Sequence, residues 1–164
     1  MKIFCTGNPK RKTIAYALNA DLSASLSSGW DFTNNDTIEK FKQTIVEYNV
    51  FVNSAFVLPG VQQTLMNLCY QEWMRTNVRG HIVNIGTTLE NTDDQGDYST
   101  SKRSLKAQSM LLSDQTGISG VKTSYIVLGG LGEDACKPSD IAQAIRWIVS
   151  QPYRIPVIQI ESVK

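Results

Sequence analysis

Three residues have the types and the spacing to share one piece of chemistry: Thr87, Tyr98 and Lys102. On a helix, residues four apart place their Cβ atoms on one face, roughly 5–6 Å from each other, and Tyr98 and Lys102 have that spacing. A phenol titrates near 10 and is a poor base at neutral pH. A neighbouring ammonium favours the phenolate and moves that value toward the working range. The hydroxyl of Thr87 could then hydrogen-bond a substrate oxygen beside the phenol. The chemistry this trio could serve is proton transfer coupled to hydride transfer. In a chain with six tyrosines, a Tyr four before a Lys is more often a solvated helix face. What sets this pair apart is its surroundings.

Gly80 opens a run of apolar and β-branched residues, His81 to Ile85, that reads as a buried strand. Gly86 breaks it, Thr87 and Thr88 stand at its end, and a polar loop follows. A helix is expected from Gly96 or Asp97 to Asp114, stopping before Gly117. Ile82-Val83-Asn84-Ile85-Gly86-Thr87 followed by Tyr98-Ser99-Thr100-Ser101-Lys102 resembles the short-chain dehydrogenase/reductase family. The resemblance implies that Thr87 stands for the family's Ser. It makes Tyr98 the acid/base and Lys102 its partner, which also holds the nicotinamide ribose. Two departures are visible: Thr replaces Ser, and the loop between Thr87 and Tyr98 is about two residues shorter than the family's usual spacing.

The N-terminus has the same character. Lys2 to Thr6 reads as a strand, Gly7 ends it, and Ile14 to Leu18 is an apolar-periodic helix. Strand, turn and helix in this order is the phosphate-cradling arrangement of a dinucleotide fold. Thr6-Gly7 matches the start of the family's glycine signature, which implies cofactor contacts at Gly7 and Asn8. The remaining glycines are missing, and Pro9 removes an amide. Lys10, Arg11 and Lys12 bring charge to the place of the phosphates, or form a solvated basic turn. Ala24-Ser25-Leu26 reads as a second strand. Ser27-Ser28-Gly29 follows where the family carries the acid that selects NAD, so the resemblance favours NADP(H), with NAD(H) the alternative.

Trp30-Asp31-Phe32-Thr33 reads as a third strand, with Asp31 and Phe32 implied at the adenine; otherwise Asp31 is a turn aspartate. Ile38, Phe41 and Ile45 keep helical spacing, and Asn49 to Val52 is the fourth strand. Asn53-Ser54-Ala55-Phe56 resembles the family's Asn-Asn-Ala-Gly, which implies that Asn53 stabilises the sheet and Ala55 lines the cofactor. Pro59-Gly60 leads at once into a helix from Val61 to Thr76. The family's relay Asn would fall near Val57 to Pro59 and is absent. Ser124 to Leu128 is a sixth strand. Gly129 and Leu131 in the Gly129-Gly130-Leu131-Gly132 turn are implied at the nicotinamide. A helix opens at Lys137-Pro138 and ends at Ser150, and a last strand runs from Ile155 to Ile160.

Strands alternating with helices predict an α/β, Rossmann-like, doubly wound parallel sheet, a single domain over residues 1–164. The hydrophobic content is 41%, the charged content 19% and the formal charge +1. With no charged tail, nucleic acid and membrane are poor candidates for partners. Three separated cysteines, and a strand beginning at Met1-Lys2-Ile3-Phe4, suggest reduced thiols and a cytoplasmic setting. His81 is expected at a strand entrance with no catalytic task. Asp93-Asp94 is expected as a solvated turn rather than a metal site. The helices 61–76 and 99–114 correspond to the family's dimer helices, and Trp73, Met74, Met110 and Leu112 lead us to expect a homodimer or homotetramer. The function implied is an NADP(H)-dependent oxidoreductase interconverting a small carbonyl compound and its alcohol. The alternative is a catalytically degenerate relative that binds a dinucleotide, or acts as a sensor or interaction partner.

Overall fold

The computed structural model describes residues 1–10, 12–91, 96–129 and 136–161. Its described strands form one six-stranded parallel sheet in the order β2-β1-β3-β4-β5-β6. They are β1 (Ile3–Thr6), β2 (Leu22–Ala24), β3 (Val50–Asn53), β4 (His81–Ile85), β5 (Lys122–Leu128) and β6 (Val157–Ile160). The helices are α1 (Ile14–Leu18), α2 (Asn35–Ile45), α3 (Val61–Thr76), α4 (Asp97–Asp114), α5 (Thr116–Ser119) and α6 (Pro138–Ser150).

Every residue of β1, β3 and β4 is buried, which explains their continuous rather than alternating apolar runs. Alternate side chains enter two separate cores. Phe4, Phe51, Ile82 and Tyr125 pack with Phe41, Leu65, Trp73 and Leu105, beneath α2, α3 and α4. Cys5, Val52, Val83 and Ile126 pack with Ile14, Leu18, Ile141 and Ile145, beneath α1 and α6. The winding reverses at β1, because the chain leaves it for β2 on one side and returns to β3 on the other. A crevice opens outside the carboxyl ends of two strands that part in this way.

Several local expectations are corrected. Trp30 to Thr33 is a turn rather than a strand. Its alternating pattern buries Trp30 and Phe32 against Phe4 and Phe41 without entering the sheet. The second strand ends at Ala24, and Leu26–Ser28 forms a 3₁₀ turn instead. Gly117 lies inside the short helix α5. Trp73 is fully buried, with its indole N–H donated to the Ile45 carbonyl, and Leu112 packs against the same core. Of the apolar residues expected at an interface, Met74 and Met110 are the exposed ones, joined by Leu111.

His81 stands at the entrance of β4, away from the crevice. Its Nε2 lies 2.8 Å from Ser124 Oγ, and burial, with Lys122 nearby, pulls its pKa down to about 4. The cysteines are free and buried, and burial pushes the Cys5 thiol up to about 12. Among the described residues no helix is long and apolar enough to cross a membrane, and no cluster of three His, Cys, Asp or Glu could hold a metal.

Gly80 admits the Trp73 ring at the start of β4, because a Cβ there would lie 2.4 Å from Trp73 Cζ3. The ring is held by its own hydrogen bond and cannot turn aside freely. Gly80→Ala should therefore cost about 1–3 kcal/mol through overpacking. A urea unfolding midpoint equal to that of the unmodified protein would show that the ring yields without cost.

Candidate active site

Gly7 leaves β1 with φ of +146°, a conformation that side-chain-bearing residues rarely adopt, and its N–H donates to the Ala24 carbonyl. The Thr6 hydroxyl accepts the N–H groups of Ser54 and Ala55 at 2.9 and 3.1 Å, which ties the ends of β1 and β3 together. The Ser54 hydroxyl closes the same joint on the Thr6 carbonyl. Asn8 bridges to Ser27, Nδ2 to Oγ at 3.3 Å, and its Oδ1 accepts the Lys10 N–H. Thr13 caps α1 by accepting the Tyr16 N–H.

A cleft of about 440 Å³ runs from this turn to the far side of the crevice. Gly7, Asn8 and Lys12 line one end, and Thr87, Tyr98 and Lys102 the other. A smaller cavity of about 140 Å³ continues past Gly7, Asn8 and Ala55 to Trp30, Asp31 and Phe32. The two volumes share Gly7, Asn8 and Ala55 and so meet at the β1 turn.

The far end is held by buried polar groups. Lys102 is 3% exposed, and its ammonium donates to Gln62 Oε1 at 2.6 Å and to the Ile85 carbonyl at 2.8 Å. An ammonium has three donors, so one is left for the cleft. Gln62 is locked in turn, since its Nε2 donates to the Asn53 carbonyl and its own carbonyl accepts Asn53 Nδ2, both at 2.8 Å. Asn53 Nδ2 also donates to Asn84 Oδ1 at 2.9 Å. Burial pulls the Lys102 pKa down to about 8, against an upward pull from Glu90.

Tyr98 is half-buried and hydrogen-bonds Thr87. Its ring meets Phe56 edge-on, with centroids 4.7 Å apart, and the Lys102 ammonium lies 5.5 Å from its centroid. Desolvation raises the Tyr98 pKa above that of a free phenol; the Thr87 hydrogen bond lowers it and the Glu90 carboxylate raises it. This corrects the expectation that Lys102 lowers it, for the ligand-free chain. The ammonium is turned to Gln62 and Ile85 instead of the phenol oxygen. Below them, Glu90 accepts the Tyr125 hydroxyl at 2.5 Å and the Lys106 ammonium at 2.7 Å. Gly86 makes this possible, because a Cβ there would lie 2.0 Å from the Tyr125 hydroxyl.

Thus Thr87, Tyr98 and Lys102 come together, and Gly7, Asn8 and Ala55 face them across the crevice. Phe32 and Asp31 line the smaller cavity, although Asp31 Oδ1 is engaged by the Thr33 N–H and hydroxyl. Ser27 stands beside Asn8. Asn53 is fully buried behind the cleft rather than in its wall, because its amide holds the ends of β3, β4 and α3 together. Lys10 is exposed and lines neither cavity; Lys12, with φ of +68°, is the lysine of that turn which faces the cleft. Gly129 also lies off the cleft, its N–H on the Ile160 carbonyl, while Leu128 lines it. Arg11, Asp93-Asp94, Gly130, Leu131 and Gly132 fall outside the described residues. Sequence reasoning missed Gln62, Glu90 and Phe56.

No protein-family model matches the sequence, and no curated protein matches it. Solved structures do match over nearly the whole chain. A short chain dehydrogenase from Leptospira borgpetersenii with bound NAD+ superposes with a TM-score of 0.75 at 14% identity, over 97% of this chain and 90% of that one. A metagenomic short-chain oxidoreductase in complex with NADP gives 0.75 at 17% identity, over 98% and 96%. Serine dehydrogenase from Escherichia coli gives 0.73 at 17% identity, over 99% and 98%. The fold is that of the short-chain dehydrogenases/reductases. Within that fold, the Tyr98 and Lys102 helix packs beside the strand that ends at Thr87, as the sequence resemblance implied.

Gln62 is the joint of this site. Gln62→Leu keeps the bulk but leaves the Asn53 carbonyl without a donor and Lys102 without one of its two acceptors. Each buried group left unpaired costs about 1–3 kcal/mol. Chemical denaturation should register a loss of that size, and a variant as stable as the parent would show that the two groups find other partners.

Proposed function

We propose that the chain is an oxidoreductase that interconverts a carbonyl compound and its alcohol with a nicotinamide dinucleotide, NADP(H) in preference to NAD(H). The observation that carries this is the meeting of Thr87, Tyr98 and Lys102 at one end of the cleft whose other end is the Gly7 turn. Structures of this fold in complex with NAD+ and NADP support a ligand of that class.

The residues fit such a cofactor in two lobes. Trp30, Asp31 and Phe32 would take the adenine end, with Gly7, Asn8 and Lys12 at the phosphates and the third donor of Lys102 at a ribose hydroxyl. A bound nicotinamide supplies or accepts the hydride. The chain's own groups handle the proton: the Tyr98 hydroxyl gives it to the carbonyl oxygen in reduction and takes it back in oxidation. The Thr87 hydroxyl, already bonded to Tyr98, orients that oxygen beside the phenol. Preference for a 2′-phosphate is supported by the serine hydroxyls of residues 25, 27 and 28, where a carboxylate would repel it. The small carbonyl or alcohol substrate enters beside Phe56 and Tyr98.

A second reading has specific support. Thr6 occupies the amides of Ser54 and Ala55, Pro9 has none to offer, and the Phe56 ring lies against Tyr98. A dinucleotide-binding protein without turnover would show the same features.

Fluorescence titration separates the cofactors: NADPH should bind more tightly than NADH, and Ser27→Asp, which puts a carboxylate beside the 2′-position, should remove the difference. Equal affinities in the unmodified protein would overturn the preference. Turnover is then sought with small aldehydes, ketones and diketones. Tyr98→Phe should leave NADPH binding nearly intact and reduce the rate by about 10²–10⁴-fold. Thr87→Ser should retain activity and Thr87→Val should lose it. In the oxidative direction the rate should rise with pH, since the phenolate is the base. Full activity in Tyr98→Phe rules out the mechanism, and NADPH binding with no carbonyl reduced favours the second reading.

A further inference from the structure

We propose that Glu90 is a positioning residue for the Tyr98–Lys102 pair: a buried carboxylate that clamps the Thr87 turn to the helix carrying both and supplies the negative charge they face. The proposal deepens, and rests on, the oxidoreductase reading above.

Glu90 is the one buried acid among the described residues. It sits in the 3₁₀ turn Thr88–Asn91 directly after Thr87, and its N–H returns to the Thr87 carbonyl at 3.3 Å. Three attachments hold this turn. Lys106 Nζ donates to Oε1, Arg103 Nη1 donates to the Glu90 carbonyl, and the Tyr125 hydroxyl donates to Oε2. That same hydroxyl lies 3.2 Å from the Lys102 carbonyl. The backbones of Thr87 and Lys102 are therefore fixed with respect to each other through one carboxylate.

The charge matters as much as the clamp. The titratable or charged groups around Glu90 are Tyr98, Lys102, Arg103 and Lys106 from α4 and Tyr125 from β5. A buried anion disfavours a phenolate and favours an ammonium, so Glu90 raises both Tyr98 and Lys102. It thereby keeps the proton that reduction delivers on Tyr98, and the charge that binds a ribose on Lys102. Tyr125 is raised as well and remains a neutral donor.

Glu90→Gln removes the charge and can keep the clamp. The amide oxygen accepts Lys106, and the amide N–H₂ donates to the Tyr125 hydroxyl, which turns to donate to the Lys102 carbonyl already within reach. Lys106→Met does the reverse: Glu90 keeps its charge and loses the cation that partly neutralises it, and the Lys106 side chain is partly exposed, so the fold tolerates the change.

The test places a fluorinated tyrosine at position 98 alone and follows its ionisation by fluorine NMR. The lower intrinsic pKa of that ring brings the titration into a range where the fold persists. Relative to the parent, Glu90→Gln should move the midpoint down, and Lys106→Met should move it up. Opposite signs are the result a purely structural role does not produce. An unmoved midpoint in either folded variant, or shifts of the same sign, would overturn the proposal. If Glu90→Gln does not fold, Lys106→Met decides alone: an upward shift supports the proposal, and an unchanged or lower midpoint overturns it. The titration needs neither nucleotide nor substrate. A failure to find turnover therefore counts against the oxidoreductase reading and leaves this result standing.

Discussion

A lysine ammonium almost wholly removed from water must be solvated by the protein, and much of the site follows from that requirement. Lys102 receives two fixed acceptors, one from the side chain of α3 and one from the end of β4. Neither acceptor is adjustable. The Ile85 carbonyl is set by the sheet, and the Gln62 amide is oriented by its exchange of hydrogen bonds with Asn53. Because an amide that donates on one side must accept on the other, Gln62 presents oxygen to the ammonium in a single orientation. The chain Asn84–Asn53–Gln62–Lys102 thus carries the register of the central strands into the position of one nitrogen atom. Such a network is rigid when complete and costly when any member is lost.

The short connection from β3 to α3 supplies the first of these acceptors. Pro59-Gly60 starts α3 almost immediately after β3, so the first turn of the helix, with Gln62, arrives directly beneath Lys102. The Gly60 φ of +85° permits this sharp entry.

The elements were legible because helices on both faces of the sheet leave strong local signatures. The apolar runs of β1, β3, β4 and β5 and the periodicity of α3, α4 and α6 all stand in the expected places. Tyr98 and Lys102 were legible for the same reason, since their relation is set by the pitch of one helix. Trp30 to Thr33 misled because alternation of apolar and polar residues suits a strand and equally suits a turn that drops two rings into the core beside Phe4. Gln62 and Glu90 were invisible for a different reason. Their partners lie 40 and 35 residues away, and a buried Gln or Glu carries no local pattern that separates it from a solvated one. Gly86 was read correctly as a strand end, but its need for the Tyr125 hydroxyl could be seen only in three dimensions.

The Gly7 end of the cleft poses the opposite problem, because few of its donors are fixed. In a glycine-rich turn, backbone amides point at phosphate and need no reorganisation. Here the Thr6 hydroxyl takes two amides at the end of β3 to join it to β1, and Pro9 has no N–H. That leaves Gly7, Asn8 and Thr13 as a polar floor and Lys12 as the cation, held in a left-handed turn that directs it toward the cleft. Attraction to phosphate on this surface is mainly that of a side-chain charge rather than of aligned dipoles. Such attraction is screened over about 8 Å at physiological ionic strength. The two ends of the cleft are therefore unequal in kind: one is a preorganised, buried network around a single ammonium, the other an exposed cation over a short turn. Orientation of a ligand is set at the Lys102 end, where the donors are fixed before anything binds.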